Sequence, residues 1–447
     1  MIMASRSGYA DVLVGLQYGD EGKARVVDHI AGDYDIVARF NGGANAGHTI
    51  ATPQGAVRLR QVPSAVLHPA VSLYIGSGCA IGLAQLAEEI AMLAALGIQL
   101  QGRLAISDRC LVVQPLHVAR DRAHGASIGT TGNGIGPCYA DHALRARGIE
   151  RTSFQLRDLI QDSGAVIRQM AVAAARGGDP LDAAALEAMR AAWALVSDYV
   201  ISDPGYLARR VAQGARVLFE GAQSVMLDMT HGEQPWVTAS HTVPAYAYVG
   251  GDLPCRYHRK TIGVAKAIVS RVGAGHFPSE LGAQRSAVYC ADAAHKGLGR
   301  EQEAATHDPV ALLAGDDPLH VGMAIRMLTG EYGTGTGRPR RIGLLDVAQL
   351  RRTVQQHGVD ELFLNKCDAL ALFAQTRDPA IVVVDDEGPE GATRRFPAFA
   401  VDALPNHSAD PLPPQLDALL RWLADTLGCR LRGVGLGPAR EQMRLLA

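Results

Sequence analysis

What the chain lacks narrows its possibilities before any motif is read. Its seven cysteines, at 79, 110, 138, 255, 290, 367 and 429, are odd in number and include no C-x-x-C pair. That pattern argues for reduced thiols rather than a disulfide frame or a zinc site. No apolar run approaches 18 residues, so no membrane-spanning helix is expected. The stretch before Asp11 has no apolar core of a signal peptide, and a cytoplasmic location is the expectation. The net charge of -2 supplies no field that would recruit nucleic acid or an anionic membrane, so neither is an expected partner. There is no Ser/Gly- or Pro-rich linker and no internal repeat. Only 22 prolines and 20% charged residues, against 48% apolar ones, describe an ordered chain with a sizeable core.

Within that core, short β-branched runs alternate with helical segments. Residues 11–16, 35–40, 72–77, 103–107, 216–220, 261–270, 361–365, 380–384 and 430–435 read as strands buried on both faces. Residues 80–97 read as a helix closed by a glycine, and 163–200 as two helices around GGDP. The rhythm implies an α/β fold with a large, mainly parallel central sheet flanked by helices. The helix-rich stretch of about 151–213 interrupts the rhythm and reads as an insertion on a single domain spanning 1–447. Residues 386–413 read as surface loop.

The first strand runs into GLQYGDEGKARVVD, residues 15–28. A glycine-rich turn between strand and helix aims backbone N–H groups and the helix dipole at an anion, and Lys23 can neutralise phosphate charge. The turn resembles a P-loop, but six residues rather than four separate Gly15 from Gly22, and Ala24 stands where a P-loop carries a magnesium-binding hydroxyl. A metal would therefore need another oxygen donor, and Asp20 is the one at hand. A solvated turn with a charged tip is the competing reading.

Five further segments carry chemistry. NGGANAGHT, residues 41–49, surrounds Asn45 with small residues that permit close approach, and follows them with His48. IGTTGNGIGPCY, residues 128–139, is a glycine-rich loop dense in donors, suited to phosphate or a purine edge. LFEGAQ, residues 218–223, puts Glu220 and Gln223 just past a strand, where a carboxamide can pair with a base. TGEYGTGTGRPRRIG, residues 329–343, sets Arg338, Arg340 and Arg341 on a glycine loop, the means to close forked cations over carboxylates and phosphates or, alternatively, a solvated basic loop. Finally, NKCD at 365–368 follows a strand, and a carboxylate there can accept from guanine N1–H and the 2-amino group.

Together these segments resemble the adenylosuccinate synthetase family across roughly residues 11–445, with SRVGAGHFPSEL at 270–281 and GLGP at 435–438 adding to the likeness. The resemblance implies a P-loop NTPase-like fold and a GTP-dependent ligase of AMP biosynthesis that joins L-aspartate to IMP. It implies two steps. The 6-oxygen of IMP attacks the γ-phosphate of GTP as a base removes N1–H, and the aspartate amine then displaces phosphate from C6. Matched residue by residue, the base is Asp20 and the acid His48, with Asp20 and the carbonyl of Gly47 as Mg2+ ligands. The nucleotide contacts fall on Gly19, Glu21, Gly22, Lys23, Ala24, Arg25, Gly47, His48, Thr49 and Arg340. Lys366, Cys367 and Asp368 would hold guanine, with Gly435, Leu436 and Gly437 closing its pocket. IMP and aspartate fall to Asp20, Lys23, Asn45, Thr131, Gln223, Thr238, Thr334, Thr336, Gly337 and Arg338. Arg145 matches an arginine that reaches the partner subunit's IMP, so a homodimer is implied.

The chain departs from the family's pattern at Ala24-Arg25, at Asn133 in place of a basic residue, at ASHTVPAYAY in 239–248, at Gly335, at Leu344 and in GLGP. Two alternatives remain beside IMP ligation. One is a ligase for another 6-oxopurine nucleotide such as dGMP. The other is a GTP-binding switch or an inactive nucleotide-binding paralog.

Overall fold

The structure, a computed structural model, describes residues 8–45, 47–52, 55–124, 129–295, 297–333, 337–386, 392–405 and 410–446. Ten strands make one mainly parallel sheet: β1 (Tyr9–Gly15), β2 (Ile36–Arg39), β3 (Ser72–Ile75), β4 (Leu104–Ser107), β5 (Val200–Ile201), β6 (Arg216–Ser224), β7 (His258–Lys266), β8 (Glu361–Asn365), β9 (Arg430–Gly435) and β10 (Met443–Leu445). Their order is β10-β9-β8-β7-β1-β6-β2-β3-β4-β5. The chain divides into two compact units. The first holds residues up to Val14, Lys23–Ser224 and Asp228–Lys260, and the second holds Gly15–Gly22, Val225–Leu227 and the chain from Thr261 on.

In the first unit, β6 pairs parallel with β2 from Val217↔Ile36 to Glu220↔Arg39, and β2 pairs parallel with β3. The continuous apolar runs follow from burial on both faces; Ala10, Val12, Leu13 and Val14 of β1 are at most 1% exposed. Helix α1 (Lys23–Ile30) opens directly after Gly22. Helix α2 (Leu83–Ala95) buries Leu83, Leu86, Glu89, Ile90 and Leu93, one face at helical spacing. Glu89 is tolerated in that stripe because the backbone N–H groups of Arg60, Gln61 and Val62 donate to its carboxylate. Helix α3 (Ile135–Leu144) is followed by the insertion, which contains α4 (Leu156–Arg176), α5 (Ala183–Ser197) and α6 (Tyr206–Ala212). Between α5 and α6 the insertion returns β5 to the sheet, where it pairs parallel with β4 through Ile106↔Val200 and Ser107↔Ile201.

In the second unit, β7 and β8 pair parallel, as do β8 and β9, and β10 closes antiparallel on β9. Helices α7 (Pro318–Thr329), α8 (Val347–His357) and α9 (Pro414–Leu427) belong to this unit. Two strand readings and one loop reading need correction here. The run 261–270 is not one strand: β7 ends at Lys266, and Val269–Arg271 pairs antiparallel with Arg341–Gly343. The run stays apolar because Val269 enters a second cluster with Tyr18 and Phe277. Ala380–Val384 lies outside the large sheet. It buries only alternate residues, and it sits between Leu345–Asp346 and an antiparallel strand, Thr393–Pro397, that falls in the expected surface loop.

Candidate functional site

The segments after β1, β2 and β8 begin where a parallel strand ends, the place where α/β sheets gather ligands, whereas LFEGAQ lies inside β6 rather than past it and the glycine-rich loop from Gly330 follows helix α7. After β1, the stretch Gly15–Gly22 turns on left-handed backbone at Gly19, Asp20 and Gly22. Two glycines are required by close approach. A Cβ at Gly15 would stand 2.3 Å from Oε2 of Glu21, and one at Gly22 would stand 2.7 Å from Nδ2 of Asn365. Glu21 is fully buried, and Gly19 N–H donates to its Oε1 at 2.8 Å, so its side chain holds the loop together. Asp20 is the one exposed side chain of this stretch.

The exposed carboxylate is not solitary. Nη2 of Arg340 donates to Oδ2 of Asp20 at 2.6 Å, and Nη1 of the same guanidinium donates to Oε2 of Glu331 at 2.6 Å. Nε of Arg340 is buried and has no hydrogen-bond partner among the described residues. Glu331 was not anticipated. It is 3% exposed and also meets Lys266 Nζ at 3.2 Å, Lys366 Nζ at 3.0 Å and the Ser270 hydroxyl at 2.8 Å. Burial alone would raise its carboxyl, but Lys266, Arg340 and Lys366 hold it well below the ordinary carboxylate range. A lone glutamate two residues after a helix gives no sequence signal of such a role.

The NKCD segment is tied to both neighbours. Asn365 donates to the carbonyl of Glu21 at 2.6 Å, and Cys367 N–H donates to the carbonyl of Gly435 at 2.9 Å. The second bond places 435–437 beside the candidate guanine reader. The Cys367 thiol turns inward, onto the carbonyl of Leu364, so only its backbone is offered to a ligand. Asp368 is half-buried. In the glycine loop, Arg340 N–H donates to Glu331 O, and Gly333 N–H donates to Arg338 O. Gly337 and Arg338 are half-buried, while Thr334 and Thr336 lie outside the described residues. Arg341 departs from the expected trio of ligand-facing cations. It is buried and its fork is used by Glu280, Gly273 and Gly275.

The first unit carries the other candidates. Asn41 locks the loop after β2 to the end of β6 through both Nδ2 and Oδ1, donating to Ala222 O and accepting from Ala222 N–H. Gln223, in left-handed backbone, donates to the carbonyl of Asn45 at 3.2 Å. Asn133 donates to Ala44 O at 3.3 Å and to the Thr131 hydroxyl at 3.0 Å. Thus Asn45, Thr131 and Gln223 are brought together, and the departure at Asn133 supplies a tether in place of a cation. Thr242 binds Ser224 O and Asp228, which draws the segment after Thr238 toward the end of β6. Arg145 is exposed at the left-handed end of α3. Lys23 and Ala24 are buried in the first turn of α1, and Arg25 is half-buried there.

His48 opens the hairpin His48–Thr52 with Gly55–Leu59, preceded by the exposed Gly47 and followed by the exposed Thr49. Its Nδ1 lies 2.6 Å from Oε1 of Glu220, which also accepts from the hydroxyl and N–H of Ser64. Burial pushes the His48 pKa down against the pull of Glu220. A neutral ring that donates from Nδ1 to the carboxylate carries its lone pair on Nε2. Ser64 is the partner that the sequence did not indicate.

A family model described as adenylosuccinate synthetase matches residues 12–444. The chain is 66% identical over 447 residues to adenylosuccinate synthetase 2 of Cupriavidus pinatubonensis (strain JMP 134 / LMG 1197), covering 100% of this chain and 99% of that one. It is 35% identical over 447 residues to adenylosuccinate synthetase of Salinibacter ruber, covering 94% and 89%. The fully ligated adenylosuccinate synthetase from Plasmodium falciparum superposes with a TM-score of 0.80 at 25% identity, over 98% of this chain and 100% of that one. The cyanophage S-2L succinoaminodeoxyadenylate synthetase bound to dGMP and dATP shares the fold, with a TM-score of 0.62 at 20% identity over 98% and 96%. The chain belongs to the adenylosuccinate synthetase family, the GTP-dependent ligases that join aspartate to IMP.

Proposed function

We propose that Asp20 is the base of this chain's IMP–aspartate ligation and that the other roles fall on the residues assembled above. The observation that carries the reading is the exposed Asp20 carboxylate on an otherwise buried loop, paired with Arg340. The carboxylate takes the N1 proton of IMP while the 6-oxygen forms a bond to the γ-phosphorus and the bond to GDP breaks. The amine of aspartate then adds at C6 and phosphate leaves. Positioning and charge neutralisation dominate such a transfer.

Arg340, held beside Asp20, contributes its charge to the phosphates, and Lys23 with the N–H groups of Gly19, Glu21, Gly22, Ala24 and Arg25 neutralises the rest. His48, with Nδ1 committed to Glu220, takes a second proton from solvent on Nε2 as phosphate charge arrives and holds it in a hydrogen bond to the transferring group, whose charge it stabilises. Thr49 lies beside it as a nucleotide contact. Lys366 and Asp368 read guanine, with the Cys367 backbone and Gly435, Leu436 and Gly437 completing that pocket. Asn45, Thr131, Gln223, Thr238 and Arg338 hold IMP. Thr334, Thr336, Gly337 and Arg338 hold aspartate.

The donor set fits Mg2+. Asp20 and the carbonyl of Gly47 are hard oxygen donors, and no group of three or more His, Cys, Asp or Glu among the described residues forms a protein cage. Mg2+ favours few protein ligands supplemented by phosphate oxygens and water. When bound, it would neutralise charge on the phosphates. The chain acts as a homodimer with Arg145 reaching the partner subunit's IMP. The 72% exposed Leu144 and 65% exposed Ile149 flanking it support a covered surface there. No helix among the described residues is long and apolar enough to cross a membrane, in keeping with a cytoplasmic enzyme.

The test is turnover of the purified protein with GTP, Mg2+ and IMP, GMP or dGMP, with and without aspartate. IMP should be preferred and GTP consumption should require aspartate. Preference for dGMP would replace the acceptor, and aspartate-independent hydrolysis would point to a switch protein.

A further inference from the structure

One buried carboxylate is shared by three cations that serve different ends. Oε2 of Glu331 accepts from Arg340 Nη1 at 2.6 Å and from the Ser270 hydroxyl at 2.8 Å, and lies 3.2 Å from Lys266 Nζ. Its other oxygen is 3.0 Å from Nζ of Lys366. The backbone of Glu331 is pinned at both groups: its N–H donates to Arg326 O at 3.0 Å and its carbonyl accepts from Arg340 N–H at 3.1 Å. Arg326, itself 1% exposed, further donates from Nη1 to the carbonyl of Arg340 at 3.2 Å and is neutralised by Glu303. The carboxylate is therefore a fixed point, and the cations gather on it. Lys366 also donates to Thr329 O at 2.8 Å, whereas Arg340 reaches past Glu331 to Asp20.

The charges balance in an informative way. Glu331, Asp20 and Glu21 carry three negative charges, and Lys266, Arg340 and Lys366 carry three positive ones. Removing the charge at Glu331 would leave an excess cation in a buried site, and the strongest remaining anionic partner of Arg340 would be Asp20. The guanidinium would then rest on Asp20 alone, tightening a pair that the carboxylate must loosen for chemistry. Lys366 would lose the anchor that aims NKCD.

We infer that Glu331 is a positioning residue that holds Arg340 and Lys366 on one carboxylate, so that guanine recognition and the phosphoryl-transfer arginine are set by a single buried charge. This rests on the assignment of Arg340 to phosphate and Lys366 to guanine. Glu331 touches neither substrate; it acts through the two cations.

The test separates this role from a general loss of stability. Glu331→Gln keeps size and shape. GTP binding to this variant is measured by titration calorimetry in EDTA without acceptor, beside kcat and KM under turnover conditions. GTP affinity should fall about tenfold and kcat about tenfold or more, while KM for IMP stays within about twofold. A merely structural role lowers the active fraction, so kcat drops while the GTP affinity of the folded remainder is that of the wild type; that result overturns the inference. Should Glu331→Gln fail to fold, Lys366→Met serves instead, because its side chain is 32% exposed. Removing that cation should lower kcat even at saturating GTP, through the altered hold on Arg340. A change confined to GTP affinity would sink the coupling. Failure of the wild-type protein to convert IMP would overturn the functional reading by itself, and is scored on a different sample.

Discussion

Nδ1 of His48 lies 2.6 Å from Oε1 of Glu220, and both residues are buried in the same unit as Ser64, whose hydroxyl donates to that oxygen at 2.5 Å. The pair fixes the tautomer and orientation of the ring. Glu220→Gln removes the anion and leaves one amide oxygen to serve both Ser64 donors. The stability loss should be about 1–3 kcal/mol, the cost of an unsatisfied buried group. The drop in kcat should be larger in proportion, about a hundredfold, because an unoriented histidine forfeits most of its acid catalysis. Chemical denaturation and single-turnover phosphoryl transfer measure the two effects. Equal, small losses in both would remove Glu220 as the orienting group.

The same pair sets how stability responds to acid. The folded pKa of His48 is lowered by burial, so between that value and about 6.5 the unfolded chain binds a proton that the folded chain does not. Stability from the neutral ring is complete above that window and falls as pH drops through it. The carboxyls of Glu220 and Glu331 are pushed up by burial but held below their ordinary values, Glu220 by the hydrogen bonds from His48 and Ser64 and the charge of Arg39, and Glu331 by Lys266, Arg340 and Lys366. Their contribution is present above about 4.3 and is lost as pH falls toward the folded values. The melting temperature should therefore be level above about pH 7, decline gently below it and steeply below about pH 4. A flat profile from pH 7 to pH 4 would contradict the burial of His48 as a neutral ring.

Asp20→Asn tests the base directly. The position has φ of 56°, which asparagine tolerates while most residues do not, so the loop should keep its shape. The lost pair with Arg340 involves a carboxylate 39% exposed, and contributes at most about 1 kcal/mol to stability. Turnover should nevertheless fall by about 10²–10⁴-fold. An unchanged melting curve with near-normal kcat would leave the proton transfer to another group.

How much of this could be read in advance depended on whether a residue acts through its local context or through a distant partner. Asp20 and His48 stand in glycine-rich segments, and Gln223 and Asp368 stand in short polar motifs at the ends of buried strands, so local composition exposes them. Glu331 and Ser64 do not. Their importance arises from contacts with Arg340, Lys366 and Glu220, separated from them by up to 156 residues in the chain. The same limit explains Arg341. Beside Arg340 in sequence it reads as an equal cation, but its fork faces Glu280, and only the fold tells the two apart. The parallel sheet was legible because fully buried strands are continuously apolar. Ala380–Val384 was misplaced because a five-residue β-branched run looks the same whether one face or both are buried.

Asp368→Asn should change which base is accepted. In the proposed pocket the carboxylate would accept from guanine N1–H and the 2-amino group, whereas an amide nitrogen would oppose the amino group and suit a 2-oxo group instead. The ratio of kcat/KM for GTP over ATP should fall at least about a hundredfold, and XTP should gain. Preference for GTP that survives the substitution would mean that 435–437 reads the base alone.

The proposed dimeric active site can be tested without a structure of the complex. On that proposal Arg145→Leu and Asp20→Asn should each be inactive, since one would lack the cation that reaches across and the other the base. If Arg145 serves the partner subunit's site, a dimer of one variant with the other has both lesions in one site and none in its second. Mixing equal amounts and allowing subunits to exchange makes half of the dimers hybrid, so about a quarter of all sites should be intact and activity should recover to that level. Arg145 is exposed at the end of α3 and its left-handed backbone already carries a Cβ, so exchanging one side chain for another adds little strain to each subunit. If Arg145 instead serves its own subunit, every site in every mixture carries a lesion, and no activity returns however long exchange proceeds.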